Sequence, residues 1–119
     1  MTFVVVTERL AEYVRITVEG EASIKDFVDL VLTTEQETVY WSDRRLMVDL
    51  RGLGGQLDPA EQVFLGELVA QNLSHLDRVA SVVPAEQITR NSENAARQLG
   101  MQLRVFSSED EAAAWLAAP

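Results

Sequence analysis

Residues 46–73 constrain this chain more than any other stretch. They open with Leu46-Met47-Val48-Asp49-Leu50, an apolar run of strand length carrying one acid, nearly continuous as in a strand covered on both faces. A glycine-rich turn follows, Arg51-Gly52-Leu53-Gly54-Gly55-Gln56-Leu57. Asp58-Pro59-Ala60-Glu61 then combines three helix-start signals: Asp58 suits the N-cap, Pro59 the first helical position, and Glu61 closes a capping box. Phe64, Leu65, Leu68, Val69, Leu73 and Leu76 recur at helical spacing as one apolar face. Truncating a buried Leu68 to Ala is expected to cost about 2–5 kcal/mol.

The flanking segments repeat the alternation. Phe3-Val4-Val5-Val6 reads as a first strand, and Tyr13-Val14-Arg15-Ile16-Thr17-Val18-Glu19 as a second, close enough to pair as a hairpin. Ser23 caps a first helix, Asp26 suits its positive end, and Ile24, Phe27, Val28, Val31 and Leu32 form its expected apolar stripe. Thr33, Thr34 and Thr38 weaken its later turns. Residues 40–45 connect it to the central strand, with Tyr40 and Trp41 expected to pack against the core. Arg78-Val79-Ala80-Ser81-Val82-Val83 is a fourth strand, stopped by Pro84. A third helix follows, with Ala95, Ala96 and Leu99 inward and Gly100 at the C′ place. Gln102-Leu103-Arg104-Val105-Phe106 is the fifth strand. Ser108-Glu109-Asp110-Glu111 caps a last helix carrying Ala112, Trp115 and Leu116. The expected fold is α/β: one domain over residues 1–119, with a mostly parallel five-stranded sheet flanked by about four helices.

Composition narrows the function classes. The 119 residues carry 19 acids, 10 bases and no cysteine, for a net charge of −9. That balance disfavours nucleic acid and anionic membrane surfaces, which require clustered Lys and Arg. Without cysteine there is no disulfide, thiolate zinc site or cysteine nucleophile. No apolar run approaches the roughly 18 residues of a membrane span. The apolar start lacks the basic segment and length of a secretory signal, so a cytoplasmic setting is expected.

Several of these pieces occur together in a known family. Val48-Asp49-Leu50-Arg51-Gly52, the acidic-proline helix start at Asp58, the Arg78-Val79-Ala80 strand and the tail from Val105 through Phe106, Glu109 and Trp115 to Leu116 resemble the SpoIIAA-like family of the STAS group. The resemblance implies a five-stranded sheet flanked by helices, no enzymatic activity, no metal and no cofactor. It also suggests kinship with small CRAL-TRIO-like domains that hold apolar ligands. Anti-sigma-factor antagonists of the group carry a phosphorylatable Ser at the start of the helix after the central strand. Here Asp58-Pro59-Ala60-Glu61 holds that place, and no Ser or Thr lies between Asp43 and Ser74. The phosphorylation switch is therefore not carried over, and Asp58 is read as a helix cap rather than as a fixed phosphoserine mimic.

No catalytic constellation rises from the remaining motifs. Gly52-Leu53-Gly54-Gly55 lacks G-x-G-x-x-G and a Gly-Lys-Ser/Thr ending, so a turn needing positive φ is expected rather than a phosphate cradle. Arg51 is assigned to a surface ion pair. His75, the single histidine, has no nucleophile-elbow motif to serve and sits where a helix end favours imidazolium. Two roles remain. In the first, a non-enzymatic module binds a small nonpolar, lipid-like ligand through Leu53, Leu57, Phe64, Leu65 and Leu68. The alternative is a protein-interaction module without the phosphoserine switch, using an exposed patch around the second long helix. Homodimerisation through a helix face or the edge at residues 3–6 is a further expectation.

Overall fold

The computed structural model describes residues 3–41 and 44–119; Ser42 and Asp43, in the connection expected before the central strand, and Met1 and Thr2 lie outside the described residues. The chain runs β1 (Val4–Arg9), β2 (Val14–Glu21), α1 (Ile24–Thr38), β3 (Arg45–Gly54), α2 (Pro59–Asn72), β4 (Arg78–Val82), a short 3-10 turn (Ala85–Gln87), α3 (Asn91–Gln98), β5 (Leu103–Phe106) and α4 (Glu109–Ala117). The strands form one sheet in sequence order. β1 and β2 are an antiparallel hairpin, and β2, β3, β4 and β5 run parallel. This is the α/β architecture expected from the sequence.

Parallel neighbours need crossovers, and crossovers of one hand along a sheet that never doubles back put their helices on one face. Val14, Ile16, Leu46, Val79 and Leu103 accordingly pack with Val31 of α1, Val69 and Leu73 of α2 and Ala96 of α3. On the other face Met47, Ala80 and Val82 pack with Ala112 and Leu116 of α4. Trp115 lies beside them with its ring 5.8 Å from that of Phe106.

α4 is tied down at both ends. Ser108 Oγ accepts the Glu111 amide at its start. At its end, Arg45 of β3 donates to the carbonyls of Leu116 and Ala118, and Arg78 of β4 to those of Trp115 (2.6 Å) and Ala118 (2.8 Å). Cations at the negative end of a helix satisfy carbonyls that no later turn reaches.

The helices differ from their expected faces in three places. In α1 the inward residues are Phe27, Val31, Thr34 and Thr38, while Leu32 is exposed. Thr38 is tolerated inside because its Oγ1 donates to the Thr34 carbonyl at 2.7 Å. At the end of α3, Leu99 is exposed and Met101 takes the inward place. Gly100 (φ +88°) closes a Schellman turn, with Gly100 N–H donating to Arg97 O and Met101 N–H to Ala96 O, which swings the chain past Leu99. After α1, Tyr40 stands in solvent instead of packing inward, and Trp41 is half-buried with the Arg9 guanidinium 5.4 Å above its ring.

Candidate functional site

β3 is longer than its apolar run. Arg51, Gly52, Leu53 and Gly54 remain in the strand, and Gly52, Leu53 and Gly54 pair with Glu19, Gly20 and Glu21 of β2 beyond an irregularity in register. The expected glycine turn is thereby reduced to Gly55, Gln56 and Leu57, and within this turn only Gly55 has positive φ (+73°). Asp58 then caps α2. Its Oδ1 accepts the Glu61 amide at 2.8 Å, and Glu61 Oε1 accepts the Asp58 amide at 3.1 Å, completing the capping box.

This connection forms one wall of an apolar cavity of about 150 Å³ between the sheet and the helices. Leu53 and Leu57 line it from the connection, Leu65 from α2, and Phe27 and Leu30 from α1. Its rim is made of amides and hydroxyls. Gln62 donates to Leu57 O (2.8 Å) and accepts from Thr89 Oγ1 (2.7 Å) and Asn91 Nδ2 (2.8 Å), which joins α2 to the approach of α3. Among the described residues, no charged side chain lines the cavity. It can therefore hold an uncharged group by dispersion and shape, but it offers no acid, base or activated nucleophile.

Three of the five expected ligand residues thus meet around the cavity: Leu53, Leu57 and Leu65. Phe64 and Leu68 are not in its lining. Phe64 is 49% exposed, beside Val63 at 39%, and Leu68 is only partly buried against the core, so the cost expected for a buried Leu68 does not apply to it in full. The cause is Gly66. A methyl group there would fall on the Ser92 carbonyl, so α2 and α3 approach closely at Gly66, α2 buries the face carrying Gly66, Val69 and Ala70, and Phe64 is turned outward. Sequence spacing missed this because apolar and polar residues are interspersed around α2, so no single stripe marks its inward face.

The charged candidates have separate partners. Asp49 accepts from Arg51 Nε (2.9 Å), Nη2 (2.8 Å) and backbone N–H (3.1 Å). The Arg51 side-chain hydrogen bond holds the Asp49 carboxyl below the usual carboxylate range, against the opposing effect of burial. Arg51 also reaches Glu109 at the head of α4, and Glu109 reaches Arg15, which pairs with Glu8. His75 Nε2 lies 2.7 Å from Thr38 Oγ1. Because that hydroxyl already donates to Thr34 O, Nε2 is the donor and carries the proton. Asp49, Asp58 and His75 do not converge.

Sequence reasoning passed over Glu93, which is 5% exposed and accepts the Val105 amide at 2.9 Å, while Arg90 donates to Glu93 Oε1 (3.0 Å) and Val105 O (3.1 Å). The pair closes the free edge of β5. Its only sequence signal is an Arg and a Glu at three-residue spacing, which a solvated helix carries as readily.

A five-stranded, mostly parallel sheet with three helices on one face and one on the other is the SpoIIAA-like fold. The chain belongs to the SpoIIAA-like family, whose profile matches residues 13–117. Its fold is shared by an anti-sigma factor antagonist from Mycobacterium paratuberculosis, at 14% identity and TM-score 0.66, over 98% of this chain and 96% of that one. It is also shared by an uncharacterized protein with a SpoIIAA-like fold from Shewanella loihica, at 16% identity and TM-score 0.60, over 97% and 94%. RsbS of Moorella thermoacetica matches at 11% identity and TM-score 0.55, over 94% and 93%. At these identities the likeness is one of fold. No protein of curated function matches the chain. Among the described residues, no helix is long and apolar enough to cross a membrane.

Proposed function

We propose that the protein is a non-catalytic, cytoplasmic protein-interaction module of the STAS kind, working without a phosphoserine switch and docking its partner on the outer face of α2. The observation that carries this reading is the exposure of Val63 and Phe64 side by side on the helix face turned away from the buried Gly66, Val69 and Ala70. Exposed aromatic and aliphatic neighbours next to polar residues are what interface centres are made of. The fold likeness to an anti-sigma factor antagonist supports the same reading over the ligand-binding one. The absence of cysteine fits a reducing compartment.

The test is site-specific photocrosslinking in living cells, with a benzophenone amino acid at Phe64 and, as control, at Glu86. A discrete protein adduct is expected from position 64 and not from 86, and it is expected to vanish when Val63→Glu is added. No adduct, or the same adducts from both positions, would overturn the proposal.

A second reading rests on a different observation, the uncharged cavity lined by Leu53, Leu57 and Leu65. In this reading it holds the nonpolar part of a small neutral ligand.

A further inference from the structure

The two edges of the sheet are treated differently. At β5 the Arg90–Glu93 pair occupies the outward N–H and C=O of Val105. At β1, among the described residues, no side chain caps the backbone between Val4 and Glu8 in that way. Val4, Val5 and Val6 are 61%, 42% and 56% exposed, so the first half of the strand is apolar and its outer side has no neighbouring strand. Natural sheets blunt such edges with charged residues, proline, bulges or a covering element; β1 has no lysine or proline, and its charges, Glu8 and Arg9, stand only at its end.

Beside this edge lies a groove of about 300 Å³ between β1 and α1. Phe3, Val5 and Thr7 form its sheet side. Asp26, Asp29 and Glu37, at three- and eight-residue steps along α1, share its helix side with Leu30, Thr33 and Thr34. Among the described residues no basic side chain lines it, and none of the three carboxylates is in an ion pair.

We infer that β1 is a strand-addition site for an extended basic segment of a partner protein, with lysine or arginine at every second position facing α1. A strand added to β1 extends the sheet, so its side chains alternate between the two faces. Those on the α1 side meet the carboxylates, and those on the other side lie next to Val4 and Val6, whose partners on β2 are Glu19 and Thr17. Charge chooses this occupant over a second copy of the chain. Antiparallel twofold pairing of β1 with β1 would put both α1 helices on the same face, bringing two rows of unpaired carboxylates together in a protein of net charge −9. The site is distinct from the outer face of α2, and either can fail alone.

The experiment uses the full chain and a fluorescent peptide alternating lysine with valine and threonine, followed by anisotropy. Saturable binding is expected, weakened about tenfold by Asp29→Asn with Glu37→Gln and also by high salt. A peptide N-methylated at alternate amides, which keeps its charge but cannot join a ladder, is expected not to bind. Hydrogen exchange is expected to show β1 amides protected by the unmethylated peptide only. Circular dichroism checks that the double variant is folded, and the high-salt and methylated-peptide measurements on unmodified protein test the same two contributions without any substitution. Absent binding, equal binding of the methylated peptide, or a dimer in sedimentation that buries β1 would overturn the inference.

Discussion

Asp49 shows how one side chain sets the polar face of the sheet. It is the acid that interrupts the central apolar run, and it is 8% exposed, yet it is compensated in full by Arg51 two residues on. Replacing it with Asn keeps the shape and removes the charge, so Asp49→Asn is expected to lower stability by about 1–2 kcal/mol at pH 7. The pH dependence follows from the direction of the shift. Arg51 depresses the carboxyl in the folded chain relative to the unfolded value of about 3.9, so the contribution is fully present above that value. It is lost as pH falls through the unfolded value toward the folded one. Urea midpoints of the parent and variant are therefore expected to differ at pH 7 and to converge below about pH 4; a constant difference would show that the ion pair is not its source.

At the scale of elements, caps were readable, and faces were readable for α4 and most of α3 but only in part for α1 and α2. Ser23, Asp58 and Ser108 each accept the amide three residues on, as their sequence contexts indicate. A cap is a local exchange between residues three apart, so spacing alone reveals it. The inward face of α2 is decided by Ser92, 26 positions past Gly66 in the sequence, and no local pattern encodes that meeting. The same holds for Thr38, whose burial rests on the Thr34 backbone carbonyl and on His75. Gly66→Ala is expected to cost about 1–3 kcal/mol through forced separation of α2 and α3, although Ala is the better helix former. Thermal unfolding checks the sign: a gain in melting temperature would mean that the helices are not in close contact. Of the candidate site, Leu53, Leu57 and Leu65 were legible because turn and helix bring them to the carboxyl ends of the strands. The Gln62 and Thr89 rim was not, since amides and hydroxyls spread along a chain carry no spacing signal.

The whole molecule is asymmetric, with three helices on one face of the sheet and one on the other. The heavier layer contains the cavity, and its volume is comparable to cavities that take a benzene-sized group, so a long acyl chain would fit only in part. If the ligand reading holds, native mass spectrometry of freshly purified protein is expected to show a small neutral adduct, and Leu65→Trp, which fills the space, is expected to abolish it. Repeated adduct-free spectra would remove that reading while leaving the α2 surface untouched. The start of α2 has one more consequence. Between Arg44 and Leu73 the chain offers no serine, threonine or tyrosine, and the helix opens on a carboxylate already engaged by its own backbone. A hydroxyl-directed kinase has nothing to modify within that stretch, so occupancy of this surface would be governed by how much of each protein the cell makes and by competitors rather than by a phosphate written on the helix itself.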